Sequence, residues 1–497
     1  MSQPVSGAEG TTTSIGVMEK IRDFIHAFTD LFDVPHAFWF INVVFMLDSM
    51  AYFGILTLMT AYLAPLLALR FAMGPDSSDW SAGLIVALFT GLVTLLMLGA
   101  GLVERMGVRR GLLWALVLCL GGRILYTASP VLPGNPLLLL ALFVGLLLIA
   151  IGEAIVQPLA YAGIKQYTND KTSAMGYGLL YAVMNLGIFF IGLISPLVRV
   201  PLDKIMEARA AGSPEPASIW RFLANWSTSG FMGVHWVCTA VTALALLFLL
   251  VFLTRRVEAN KIRPPEVQPL RGEGEGEVGL LTRVKQYFVE GPFGDARFIF
   301  FIFMLLPVQT LFAHQWLTMS PYILRVYSQG VADRMEWLVN WINPGIIFFG
   351  VPIATALTRR VNVYTMMIVG SLVSAVPTFL LCTGPHLSTL ITYLVLFSVG
   401  EALWSPRFLQ YAAELAPEGK VSQYMGLANI PWLAAKMTTG LYSGAVLAKY
   451  CPEHGHQDTQ TMWLIYGIIA MTSPVGLWLA RRWVMSGLQQ KLKPVPA

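Results

Sequence analysis

Twelve apolar runs dominate this 497-residue chain, each near or above the roughly 20 residues that a helix needs to cross about 30 Å of hydrocarbon. The first six lie at about 36–69, 80–103, 110–129, 136–164, 174–198 and 230–254. The second six lie at about 296–324, 336–357, 363–383, 387–413, 422–448 and 460–480. Hydrocarbon offers no hydrogen-bond partners, so runs of this length satisfy their backbone only as helices. The expected fold class is an all-α membrane protein of twelve transmembrane helices in two six-helix bundles. Composition agrees: only 12% of residues are charged, against about 25% in soluble domains.

The segment 255–295 separates the two sets and is rich in Pro, Gly and charge. It reads as an exposed linker with one short amphipathic helix near Leu280–Val289. The expected organisation is a tail at 1–35, bundles at 36–254 and 296–485 around the linker, and a second tail at 486–497. The polar Ser/Thr/Gly stretch up to Gly16 lacks the charged start, apolar run and cleavage site of a secretory signal. With the N-terminus inside, roughly 22 of the 33 Lys and Arg fall on the inner side and about 8 outside. Both termini are therefore expected in the cytoplasm, with the chain in the cytoplasmic (inner) membrane. The same topology accounts for the net charge of +5, so nucleic acid is not an expected partner.

The motifs of several function classes are missing. Cys119, Cys238 and Cys382 lie in apolar runs, and with Cys451 they form no CxxC or other repeated spacing, which argues against disulfides or a structural metal. His454 and His456 form an HxH in the last outer loop, read as an ordinary surface pair. The spans contain no HExxH or GxSxG, and the chain has no Walker A motif. An enzyme is not expected, no cofactor is expected, and any energy coupling falls to an ion gradient.

An internal repeat supports two related halves. The fourth span reads GEAIVQP from Gly152 to Pro158, and the tenth reads GEALWSP from Gly400 to Pro406, placing Glu153 and Glu401 248 positions apart. Parallel repeats of six helices are the trace of the major facilitator architecture, whose substrate site lies near the bilayer midplane between the halves.

Asp48, Glu153, His314, Glu401 and Lys436 stand near the centres of their spans. A charge there costs roughly 2.5–3.5 kcal/mol on insertion scales, so each should face a wet cavity or a partner. Carboxylates kept from water exchange protons readily, which makes Asp48, Glu153 and Glu401, with His314, the expected proton-coupling residues. A structural Glu401–Lys436 bridge is the bland alternative. Arg123 either snorkels to the surface or pairs with Asp48 or Glu153. Arg407 points off the face of Glu401, toward Glu414 or an inner gate. Prolines at 158, 307, 321, 344, 352, 377, 406 and 431 mark expected kinks.

Several motifs together resemble the proton-dependent oligopeptide transporter (POT) family. They are INPGIIFFGVP from Ile342 to Pro352, GEALWSPRFLQYAAELAP from Gly400 to Pro417 and LYAVMNLG from Leu180 to Gly187. Shorter echoes are AYFG at Ala51–Gly54, LFAHQ at Leu311–Gln315 and YMGL at Tyr424–Leu427. The resemblance implies proton-coupled uptake of di- or tripeptides by alternating access. Carried over residue by residue, it implies that Glu401 and Asn343 receive a peptide's amino terminus, while Asn185 and Tyr52 bond its backbone. Gln157, Gln315 and Lys436 join the expected binding set, and the helical faces of Tyr161, Tyr181, Trp404 and Trp432 direct them toward side-chain pockets. The departures are specific. The family's Glu-x-x-Glu-Arg of helix 1 is FMLDS here, from Phe45 to Ser49, and its helix-4 lysine is Gln157. The linker is also too polar to hold the two extra helices of many bacterial members. Coupling then falls to Asp48 and Glu153. Two other readings stand beside peptide uptake: proton-driven export of amphipathic compounds or lipids, and a transporter-like solute sensor.

Overall fold

A computed structural model describes residues 29–97, 107–169, 172–262, 296–358, 361–415 and 430–485. The linker helix expected near Leu280–Val289, the YMGL motif and the end of the helix-10 motif lie outside the described residues. The first half comprises α1 (His36–Phe71), α2 (Pro75–Met97), α3 (Val108–Ala128), α4 (Asn135–Tyr167), α5 (Ser173–Ala210) and α6 (Gly230–Phe252). The second half begins with α7, broken into Ala296–Met304, Leu306–Leu317 and Met319–Val326. Then come α8 (Met335–Leu357), α9 (Val363–Ala375, continued as a 3-10 turn Val376–Thr383), α10 (Leu387–Leu415), α11 (Ile430–Tyr450) and α12 (Thr459–Leu479). Eleven described segments are long and apolar enough to span a membrane. The twelfth, α11, matches them in length but carries Lys436 and a run of small and hydroxylated residues.

Local chemistry sets many of the helix ends. Ser229 accepts from Met232 N at 3.3 Å to start α6. Asn362 accepts from Tyr364 N at 2.9 Å to start α9, and Asp458 accepts from Thr461 N at 3.1 Å to start α12. Each satisfies a first-turn N–H that the helix cannot. Two boundaries differ from expectation. α2 begins at Pro75 rather than near residue 80. α5 continues through Pro196 and Pro201 to Ala210, so Arg199, just past the expected span 174–198, is inside a helix. α7 breaks at Leu305 and again at Thr318, and around the second break it meets α1: Ser320 Oγ donates to Thr57 O at 3.0 Å, and Thr60 Oγ1 donates to Trp316 O at 3.3 Å.

Small residues let helices meet at backbone distance, the usual device where lipid gives no hydrophobic drive between helices. A Cβ on Gly145 would lie 2.6 Å from Tyr126 N, and one on Gly122 would lie 2.7 Å from Gly145 O, so α3 and α4 touch main chain to main chain. The same holds between halves: a Cβ on Gly444 of α11 would lie 2.5 Å from Asp79 O of α2.

Candidate functional site

Close packing of α3 on α4 carries Arg123 into the middle of the first half. Its side chain is fully buried, so it does not snorkel. One guanidinium nitrogen lies 3.2 Å from Asp48 Oδ1 of α1 and also donates to Thr242 Oγ1 of α6; the other donates to Glu153 Oε1 of α4. Four helices converge on one arginine. Asp48 and Glu153, expected to lack a resident cation unless Arg123 supplied it, share that one. Cys119 Sγ stands 3.8 Å from Glu153 Oε1. The ligand atoms of Asp48, Cys119 and Glu153 lie within 4.8 Å of one another, but the guanidinium already provides the positive charge among them. Tyr52, half-buried against Phe53 and Phe89, borders the two carboxylates.

A second constellation lies where the halves meet. Asn343 of α8 donates to Glu401 Oε2 of α10 at 2.7 Å and to Ser398 Oγ at 3.0 Å. Glu401 is 8% exposed, and no Lys or Arg among the described residues is paired with it. Across from it on α5, Tyr181 faces Glu401 and Ser405, one turn further along α10. Asn185 donates to Tyr181 O at 3.0 Å. Glu401 and Asn343 of the second half thus meet Tyr181 of the first, with Asn185 one turn further along α5.

The remaining expected residues scatter. Gln157 lies beside Tyr161, and Tyr161 stacks on Tyr177 at 5.8 Å and is 37% exposed. Lys436 does not bridge Glu401; its Nζ reaches Thr94 Oγ1 of α2 at 3.5 Å. Gln315 donates to the Tyr393 hydroxyl at 3.3 Å. Trp432 packs on Phe312 at 5.3 Å. Trp404, expected to line a pocket, is instead fully buried against Phe312 and Phe408, because Gly370 of α9 leaves room for it. His314 sits inside the second half, with Nδ1 2.8 Å from Thr318 Oγ1, Nε2 3.0 Å from the Tyr442 hydroxyl, and its ring stacked on Tyr466. Arg407 reaches Thr358 Oγ1 at 3.2 Å.

Sequence reasoning missed the contacts that hold the halves together on the face opposite the start of α1. Arg199 of α5 and Glu336 of α8 form a buried two-point ion pair. Asp79 of α2 and Arg325 of α7 form another, at 2.6 and 2.7 Å. Thr57 donates to Asn340 Oδ1 at 2.9 Å. The available signal was charge at the ends of apolar runs, which also fits ordinary loop residues.

Two bundles of six helices, latched on one face and enclosing polar groups at mid-depth, define a polytopic membrane transporter. The chain belongs to the Major Facilitator Superfamily, whose family model matches residues 38–437. One curated relative, an uncharacterized MFS-type transporter YttB of Bacillus subtilis (strain 168), is 24% identical over 144 residues. That match covers 27% of this chain and 36% of the relative, so the chain aligns with about a third of that relative's length. Solved structures share the fold over most of the chain. A POT family transporter in complex with thioalcohol-conjugated peptide is 14% identical, with a TM-score of 0.64, over 90% of this chain and 97% of that one. Peptide transporter POT in complex with sulfate is 16% identical, with a TM-score of 0.67, over 90% and 95%. The POT family transporter PepTSo is 16% identical, with a TM-score of 0.64, over 91% and 99%. The architecture expected from the POT-like motifs is therefore present.

Proposed function

We propose that this transporter is a proton-coupled symporter of di- or tripeptides, or of similar small solutes bearing a cationic group, working by alternating access in the cytoplasmic membrane with both termini inside. The observation that carries this reading is Glu401: a buried carboxylate, oriented by Asn343 and facing Tyr181 of the other half, with no cation among the described residues paired to it. A buried carboxylate of this kind is poorly compensated by one amide. The amino group of a peptide would complete it, and Tyr181 and Asn185 would bond the backbone. Tyr161, half-exposed one turn from Gln157, would meet the side chain.

Coupling falls to Asp48, Arg123 and Glu153. One guanidinium neutralises one carboxylate; the second is neutral only with a proton, so the cluster has a charge-balanced state that holds one proton and a charged state that does not. Interacting carboxylates of this kind take up and release protons as a unit. Losing that proton leaves a net buried charge, which favours a rearrangement that admits water. One ion gradient thereby biases two global states. With the topology set by Lys/Arg asymmetry, the latched face is the outer one.

The test is uptake by proteoliposomes holding the full chain, under an imposed inward pH gradient, with a library of labelled di- and tripeptides. Accumulation above equilibrium that a protonophore abolishes is the expected result. Uptake that never exceeds equilibrium at any gradient sinks the coupling, and absence of uptake for every peptide sinks the substrate class.

A further inference from the structure

Each half encloses a histidine–tyrosine pair between its first and last helices, with the residue types exchanged. In the second half, His314 of α7 stacks on Tyr466 of α12 with centroids 3.8 Å apart, and Tyr442 joins them. In the first half, Tyr62 of α1 lies edge-on to His235 of α6 at 4.8 Å, and Tyr126 of α3 lies 5.3 Å from the same imidazole. The two clusters differ in hydrogen bonding. Both ring nitrogens of His314 are paired within the protein, although the hydroxyl of Tyr466 beside it is not. Neither ring nitrogen of His235 is, nor is the hydroxyl of Tyr62, Tyr126 or Thr127.

His235 and Tyr126 are fully buried and Tyr62 is 4% exposed. A buried polar atom left without a partner is destabilising, and native proteins satisfy such atoms with bound water where no side chain serves. Several such groups on rings in mutual contact would give a water the two to four partners it needs. The position of the cluster gives it a use. His235 lies five residues from the start of α6 at Gly230, and so about 7 Å below that end of the helix. Tyr126 is one turn beyond Arg123 on α3. Cys238 of α6 neighbours both Arg123 and Tyr126, and Thr242, one turn further along α6, is itself a partner of Arg123. The Nε of Arg123 is likewise unpaired within the protein.

We propose that Tyr62, Tyr126 and His235 enclose bound water and relay protons, through the interior of the first half, between the outer face and the Asp48–Arg123–Glu153 cluster. This route is separate from the cavity between the halves, and it rests on the coupling reading above. Imidazole passes a proton by accepting on one nitrogen and releasing from the other; the hydroxyls and water supply the donors and acceptors on either side. No bond other than O–H and N–H changes, and the net step moves one proton inward. A route of this kind lets the carboxylates load while the outer latches are shut.

Two measurements on the full chain test the proposal. X-ray radiolytic footprinting in detergent reports side chains beside bound water. Labelling of His235 well above that of His314 is expected, and equal protection of the two histidines overturns it. In proteoliposomes under a pH gradient, His235→Phe and Tyr126→Phe keep the ring packing but remove the relay atoms. Gradient-driven uptake of the best peptide should slow by about tenfold or more, with counterflow exchange of the same peptide unchanged. Wild-type rates in both variants overturn the relay. A wild type that shows no gradient-driven uptake overturns the coupling reading itself, and the relay with it. Tyr62→Phe provides a third variant should either of the others fail to fold.

Discussion

Arg199 and Glu336 clasp the two halves, with Nε 2.5 Å from Oε1, Nη2 2.9 Å from Oε2, and both side chains nearly or wholly shielded from solvent. Removing one member of a buried pair leaves an uncompensated charge, typically costing about 3–5 kcal/mol. The conformation closed on this face bears that cost; one in which the halves part there does not. Arg199→Gln should therefore shift the population toward the outward-open state. A cysteine at Asn340, tested in the Arg199→Gln background and alone, should react faster with a membrane-impermeant maleimide in the former. Equal rates would mean that the pair does not hold the gate.

Glu401→Gln is expected to weaken peptide binding by about 10- to 100-fold, the loss of one charge-assisted hydrogen bond of roughly 1.5–3 kcal/mol. Asn343 retains an oxygen to donate to, so folding should be little changed. Binding measured by thermal shift or calorimetry on purified protein decides it; wild-type affinity would remove Glu401 from the substrate site.

Asp48→Asn or Glu153→Gln leaves the cluster with one carboxylate for one guanidinium, balanced without a proton. Such variants should lose gradient-driven accumulation and keep counterflow exchange. Arg123→Gln should behave differently: two buried carboxylates lose the one cation paired with them among the described residues, at a cost of about 3–5 kcal/mol, and the yield of folded protein should fall. Normal accumulation by both carboxylate variants would place the coupling elsewhere.

Gly440→Val tests the seam between α2 and α11. A Cβ at Gly440 already collides with Ala87 Cβ, and a branched side chain adds to that. The halves should then fail to close along this seam, abolishing transport while each bundle remains folded. Wild-type uptake by this variant would mean that the two helices never meet so closely during the cycle.

The helices themselves were legible in the sequence because hydrocarbon thickness sets a length that apolar runs must match. Breaks and extensions were not. α7 breaks at Thr318 where its carbonyls and hydroxyls turn to α1, a partner some 260 positions away. α5 outlasts its apolar run because Arg199 finds Glu336 137 positions on. The fate of Arg123 was open for the same reason: snorkelling and pairing are equally compatible with one helix, and only the closeness of α3 to α4 decides. Gly145 and Gly152, seven residues apart and so on one face of α4, were the available hint of that closeness. Glu401 and Asn343 were readable from their motifs, although not their hydrogen bond. Trp404 was misread because a tryptophan beside a functional glutamate is equally a packing residue when the facing helix carries a glycine.

The knot around Arg123 also imposes an order on biosynthesis. α3 brings a full positive charge into the membrane before Glu153 of α4 has left the ribosome; Arg123 lies five residues from the end of α3, where the cost falls below the roughly 2.5–3.5 kcal/mol of a helix centre but is not removed. Asp48, already delivered by α1, is the only one of its acidic partners then available. α1 and α3 must therefore associate at or near the insertion machinery while α4 is still emerging. A chain truncated after α3 should insert its third segment far less efficiently when Asp48 is replaced by Asn, which glycosylation mapping of the truncated product would reveal.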